Sequence, residues 1–240
     1  MEYKYTGIIL SKKDIGETDR IYTIYTLEKG RISAIARGVR KAKSKLAGHL
    51  ENFYLVDLVV MKNKGMGNIS GSIVENNFLN LHKNLETLSE VFEAIKIFDS
   101  LISSEEKDTR LFLLLLEYLS AVDRIALKTN KPKTIVKLLA QGFIFKLLEM
   151  LGYKVEIRRC VKCGSGLLKD NNFFSFSLGG IICNDCSKTA KDIIFVSNNF
   201  IKIMRIFFQN NINSLSKLNI KQKDADELKK ISNDFLKWIM

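Results

Sequence analysis

The chain has 240 residues, 46% of them hydrophobic and only one a proline, so it can bury a real core in one large or two to three small, closely packed units. Its longest strongly apolar run, Leu111 to Leu116, is far short of the roughly 20 residues of a membrane span. The start, Met1-Glu2-Tyr3-Lys4-Tyr5, lacks the basic and apolar regions of a secretion signal, so a soluble, intracellular protein is expected. The formal charge is +12 and unevenly spread: Lys29, Arg31, Arg37, Arg40, Lys41, Lys43 and Lys45 fall in one stretch that holds no acid. A face that serves solubility alone mixes signs, so this stretch points to a polyanionic partner.

Residues 1–80 read as five short strands: Tyr3–Ser11, Ile21–Thr26, Arg31–Arg37, Phe53–Met61 and Asn68–Glu75. Turn signals between them, including Lys29-Gly30 and Gly65-Met66-Gly67, fit a five-stranded Greek-key barrel of the OB type; an SH3-like barrel fits the pattern nearly as well. Lys12–Asp19 and Gly38–Gly48 read as long polar loops. Tyr22, Tyr25, Phe53 and Tyr54 are candidates for stacking on bases, although Tyr22 and Tyr25, three apart, face opposite sides of a regular strand.

From about residue 85 the apolar period becomes helical. Leu85, Leu88, Phe92, Ile95 and Leu101 mark a first stripe. A second helix, capped by Asp108, carries Leu111, Leu114, Leu115, Tyr118, Leu119 and Val122 on one face. A third spans about Thr134 to Leu151, with Ile135, Leu138, Leu139, Phe143, Leu147 and Leu151 inward and Gly152 ending it. Two more are expected, one capped by Ser197 and running through Phe208, the other over Gln222–Ile239. These stripes read as core. The resulting organisation is an α+β chain: an OB-fold over 1–80, a helical domain over 81–157 resuming over 191–240, and an inserted module over 158–190.

That module carries the sharpest motif. Cys160-Val-Lys-Cys163 is followed by Cys183-Asn-Asp-Cys186, using all four cysteines of the chain. Each Cys-x-x-Cys suits a tight knuckle, with Gly164 supplying the turn after the first, and the Asn172–Ile182 segment between the pairs reads as a hairpin. Four thiolates saturate one structural zinc; two disulfides, free buried thiols or an iron–sulfur cluster fit the same spacing, although a reducing cytosol argues against disulfides. His49-Leu50-Glu51 matches a zinc-deaminase His-x-Glu, but the cysteines lie over a hundred residues away and Arg159, not proline, precedes Cys160. With no phosphate loop, carboxylate pair or nucleophile elbow, an enzyme is not expected.

Several segments, in order and spacing, resemble the N-terminal region of the RecO family: Gly7-Ile-Ile-Leu, Glu17-Thr-Asp-Arg20-Ile, Glu28-Lys-Gly-Arg31-Ile and Ala36-Arg-Gly-Val-Arg-Lys-Ala-Lys-Ser44. The cysteine module after a helix ending in Leu-Gly-Tyr is similar to that of the family's zinc-bearing members. The resemblance implies a cytoplasmic, nucleoid-associated bacterial repair mediator. Such a protein binds single- and double-stranded DNA, anneals complementary strands and, with RecR, loads recombinase on strands coated by single-strand-binding protein (SSB). By position, it places DNA contacts at Arg20, Arg31, Arg37, Arg40, Lys41, Lys43 and Lys45. It also implies a site on the helical body for the acidic, phenylalanine-ended SSB tail, for which Lys128, Lys131, Lys133 and Lys137 are candidates. The competing class is a zinc-ribbon transcription or translation factor that binds nucleic acid without annealing it.

Overall fold

A computed structural model describes residues 1–62, 65–102, 106–128 and 132–240, and its contacts fall into two compact units, 1–123 and 124–240. The first unit opens with β1 (Glu2–Ile15), β2 (Asp19–Thr26), β3 (Gly30–Ala36), β4 (Leu55–Met61) and β5 (Gly67–Asn76). They close into a barrel in the order β1-β2-β3-β5-β4, with one parallel seam, β3 to β5, and antiparallel pairing elsewhere. This closed five-stranded Greek key is the OB architecture. The interior is filled by alternate side chains, among them Ile9, Tyr22, Ile24, Ile32, Ala34, Val56, Leu58 and Val60.

Two expectations about strand limits need correction. β1 continues through Lys12, Lys13, Asp14 and Ile15, paired with Tyr22, Ile21, Arg20 and Asp19, so the expected loop over Lys12–Asp19 shrinks to a turn around Gly16 (φ +54°). β1 pairs with β4 only over Glu2–Ile8, so this last stretch of β1 lies past that neighbour, and its mostly exposed polar side chains lack the apolar alternation that marks a strand. β4 starts at Leu55 rather than Phe53, because Phe53 takes a left-handed conformation (φ +71°).

Three helices follow in the first unit: α1 (Leu79–His82), α2 (Leu85–Leu101) and α3 (Thr109–Lys128), the last of which crosses the boundary between the units. α2 buries Thr87, Val91, Ala94, Ile95 and Phe98; of the stripe expected there only Ile95 is buried, and Leu85 and Phe92 are exposed. Asn84, not a hydrophobic position, sets its start by accepting from the Thr87 amide. α3 follows the expectation closely: Asp108 accepts from the Arg110 and Leu111 amides, and Leu111, Leu114, Leu115, Tyr118, Leu119 and Val122 are all buried.

The second unit contains α4 (Pro132–Met150), β6 (Asn172–Ser175), β7 (Gly180–Ile182), α5 (Asn184–Ser187), β8 (Ile193–Val196), α6 (Asn198–Gln209), α7 (Ile212–Leu215) and α8 (Gln222–Ile239). α4 packs against α6, α7 and α8 and is buried on nearly every side, Val136, Ile144 and Phe145 included, whereas Ile135 and Leu151 are only partly buried. It ends as expected at Gly152 (φ +94°), with Gly152 N–H donating to Glu149 O and Tyr153 N–H to Leu148 O, a Schellman pair. Ser197 caps α6 through the Phe200 amide. Among the described residues no helix is long and apolar enough to cross a membrane.

Candidate nucleic-acid interface and metal centre

The connection from β3 to β4 carries the basic stretch, and it is tethered rather than loose. Its Val39 and Leu50 side chains are fully buried among the barrel interior, anchoring the loop near both ends. Gly38, left-handed at φ +64°, donates its amide to Asp19 Oδ1 at 2.7 Å, and the Arg40 amide donates to Thr18 O at 2.9 Å. Tight turns follow, with Lys41 N–H on Gly38 O and Ser44 N–H on Lys41 O. The Gly38 amide, with the Thr18 hydroxyl after it, holds the Asp19 carboxyl below its ordinary range.

Arg37, Arg40, Lys41, Lys43 and Lys45 stand exposed on this tethered loop. Arg40 lies between Gly16 O (3.2 Å) and Asp14 Oδ2 (3.4 Å). Arg20 is brought to the same place from β2 but donates to Asp14 Oδ1 at 2.6 Å, and this contact is the largest cause of the lowered Asp14 pKa. Arg31 is elsewhere: its guanidinium forks onto both oxygens of Asp99 on α2, at 2.6 and 3.4 Å. Six of the seven cations thus surround the hairpin tip and the loop, and Arg31 ties the barrel wall to a helix.

Of the aromatic candidates, Tyr22, Tyr25 and Phe53 have no exposed surface. Tyr22 points into the barrel; Tyr25 points out, as the strand parity requires, but α2 covers it with Phe98 edge-on at 5.1 Å. Tyr54 is partly buried beside His82. Sequence reading missed Asp19 as the residue that positions the loop; its signal was an acid next to the strand start and a glycine following the Arg37 position.

In the second unit the four cysteines converge, with their Sγ atoms all within 4.8 Å of one another. The first knuckle closes through Gly164 N–H on Cys160 O and Cys160 N–H on Ser165 O, both 2.8 Å, with Gly164 left-handed at φ +75°. Val161 N–H donates to Ile181 O, fastening that knuckle to β7. The expected hairpin is β6 paired with β7, and it delivers Cys183 to the start of α5. Cys163 and Cys183 sulfurs are 3.8 Å apart, the edge of a tetrahedron with metal–sulfur bonds of about 2.3 Å. The Cys183 amide points at Cys160 Sγ (3.4 Å), the N–H···S contact that favours a thiolate.

The electrostatics agree with a cation site. The Ser165 hydroxyl and amide hold Cys163 down to about 6, whereas Cys186 is pushed up to about 12 by burial and by the neighbouring sulfurs. Four thiols at this spacing resist full ionisation until a positive charge sits among them. His49 is not part of this cluster: its Nδ1 is 2.8 Å from Ser72 O on β5.

Of the lysines considered for the SSB tail, Lys133 is exposed and Lys137 is mostly covered, donating to Asp226 of α8 at 2.6 Å. Lys131 and the Lys128 side chain lie outside the described residues.

Comparison with known proteins places this architecture. The family model described as Recombination protein O N terminal matches residues 1–78, and Recombination protein O C terminal matches 82–239. The chain is similar to a protein named DNA repair protein RecO from Dehalococcoides mccartyi, 34% identical over 95% of this chain and 86% of the relative. It is likewise similar to the protein of that name from Acetivibrio thermocellus, 30% identical over 98% and 90%. A Roseiflexus protein of that name is 29% identical over 99% and 81%. With both halves matched and more than four fifths of each of these relatives covered, the chain belongs to the RecO family of DNA repair proteins.

Proposed function

We propose that this chain is a non-enzymatic recombination mediator that binds single- and double-stranded DNA without sequence preference and anneals complementary strands. With RecR it helps load recombinase on SSB-coated DNA. The observation that carries the DNA reading is the tethered loop: Arg37, Arg40, Lys41, Lys43 and Lys45 are exposed together, with Arg20 beside them. Annealing asks only that two polyanions be held together with their bases free. A fixed array of cations contacting phosphates does this, because phosphate contacts position a strand and leave base edges available. Asp14, shared by Arg20 and Arg40, is the acid a phosphate would replace.

The metal in this reading is one structural zinc held by Cys160, Cys163, Cys183 and Cys186. Sulfurs within 4.8 Å of one another have room for one ion between them and not for a multi-iron core. Four protein ligands fill the tetrahedron, so its role is to join the two knuckles. For the SSB tail, Lys133 and Lys137 remain the cations to test; Asp226 already sets a carboxylate against Lys137, and an incoming acidic tail would take its place.

Salt-dependent binding tests the proposal. With about four to six phosphates neutralised on single strands, the log–log slope is expected near −3 to −4. Replacing Arg37, Arg40, Lys41 and Lys43 by alanine is expected to flatten that slope and to slow annealing of naked strands. An unchanged slope would overturn the assignment of the loop. Binding without annealing, with or without SSB, would favour the zinc-ribbon factor instead.

A further inference from the structure

The inward row of β1 ends in an unusual way. Residues 3, 5, 7 and 9 share one side of the strand, and Ile9 lies deep in the barrel core. Toward the start of β1 the row rises: Tyr5 packs on the edge of the core and Tyr3 is 38% exposed. The two rings are stacked nearly parallel, 5° between planes and 6.1 Å between centroids. Tyr3 and Tyr5 pair across β1–β4 with Val60 and Leu58, so the rings cap the interior at the barrel mouth. One ring suffices to seal such a mouth; the second adds an open aromatic face.

That face lines a cavity of about 490 Å³ together with Lys29, Lys62, Glu28 and Met1. The same two tyrosines and two lysines, with Ile32, Ser33, Val60 and Gly67, also line a second, much smaller cavity of about 30 Å³. Glu28, the acid in this set, is engaged through both carboxylate oxygens by the Thr6 amide at 3.1 and 3.0 Å. Lys29 opens the acid-free stretch of sequence but lies off the tethered loop, and Lys62 comes from the end of β4. A flat ring with two cations lining the same cavity fits a nucleobase with its adjoining phosphates.

We infer that the barrel mouth is a base-stacking site for single-stranded nucleic acid, built from Tyr3 and Tyr5 with Lys29 and Lys62 taking the adjoining phosphates. It is separate from the basic loop. β1 carries Tyr3 near one end and Asp14 beside the loop at the other, roughly 36 Å apart along the strand at a rise of about 3.3 Å per residue. A duplex keeps its base faces hidden, so the site selects unpaired strands. This inference rests on reading the chain as DNA-binding. It adds that one barrel grips a strand, or two strands, at two points of different chemistry: phosphates at the loop, a base at the mouth.

Fluorescence anisotropy with two probes of equal length, oligothymidylate and a wholly abasic strand, tests it. Both carry the same phosphates, so their affinity ratio reads stacking. The wild-type protein is expected to prefer oligothymidylate by about 5- to 30-fold, the worth of one stacked base. Tyr3→Ala is expected to bring that ratio to about one, and Tyr3→Trp to keep it. Tyr3 is exposed and its hydroxyl lies 3.4 Å from the Met1 sulfur, so neither change disturbs the core. A wild-type ratio near one, or a preference that Tyr3→Ala leaves intact, overturns the inference. The fourfold alanine variant of the loop weakens both probes alike, so failure of the loop assignment appears in the common affinity and failure of this one in the ratio.

Discussion

Asp19 and Gly38 meet at 2.7 Å, carboxylate to amide, and that contact joins the tip of the β1–β2 ribbon to the first turn of the basic loop. An acid at the centre of a proposed DNA site is electrostatically unfavourable for binding, so its presence argues for a mechanical role. It fixes where the loop leaves the barrel, and with it the spacing of five exposed cations.

The sign of a substitution separates the two roles of Asp19. Asp19→Ala removes a negative charge, and charge alone predicts tighter DNA binding. Loss of the tether predicts weaker binding, by about 3- to 10-fold, because the loop must then be ordered when DNA arrives. We expect the weaker result. Asp19→Asn keeps an oxygen for the Gly38 amide and is expected to bind at least as well as wild type. Filter binding at fixed ionic strength checks all three proteins.

Arg31 and Asp99 form the corresponding contact on the barrel wall. The pair is bidentate, and both side chains are about one-third exposed, so solvent screens it and its contribution is on the order of 1 kcal/mol. Arg31→Ala is expected to lower the denaturation midpoint and to change DNA affinity less than twofold, unlike Lys41→Ala or Lys43→Ala. A double-mutant cycle with Asp99→Ala, read by urea unfolding, should find the two changes non-additive.

Much of this was legible from local pattern, and what escaped had a distant cause. The four cysteines declare their site because each knuckle is built within a few residues of itself. Asp108, Gly152 and Ser197 mark helix ends for the same reason. Arg31 gave no local hint of Asp99, 68 residues on. Tyr25 looked available because strand parity turns it outward, and only the packing of α2 covers it. On α2 itself the apolar residues occupy two faces. The leucine and phenylalanine row drew attention, yet Thr87, Val91, Ala94 and Phe98 are the buried residues, with Ile95 alone common to both rows, because what the helix packs against decides which face is covered. Phe92, on the other row, serves a different purpose by meeting Phe53 edge-on at 4.6 Å.

The metal assignment makes a stoichiometric prediction. Protein purified under reducing conditions is expected to carry about one zinc per chain and no iron by elemental analysis. Cys160 is the buried member of the four, so Cys160→Ser should abolish retention and lower the melting temperature of the second unit. Binding of naked DNA through the loop is expected to persist in that variant. Tight zinc binding by a protein lacking Cys160 would place the ion elsewhere.

His82 supplies a prediction about pH. Its ring stacks on Phe53, lies beside Tyr54, and its Nε2 meets no hydrogen-bond partner among the described residues. Burial is the largest cause that lowers its pKa below the usual 6.5; Glu51 and Asp123 oppose the shift and Lys12 adds to it. Folded protein therefore resists protonating a ring that the unfolded chain protonates readily. As pH falls through about 6.5 the unfolded state gains the proton first, and stability declines until the folded pKa is passed. Above that window the ring is neutral in both states and contributes no slope. The carboxylates with lowered values, Asp14, Asp19, Asp108, Glu156, Asp185 and Asp226, act only at more acidic pH and do not mask the effect. His82→Phe preserves a ring against Phe53 and removes both the titration and the unpaired nitrogen. It is expected to raise the melting temperature, and by more at pH 5.5 than at pH 7.5. Equal gains at the two pH values would mean that His82 has the same pKa in the folded and the unfolded chain.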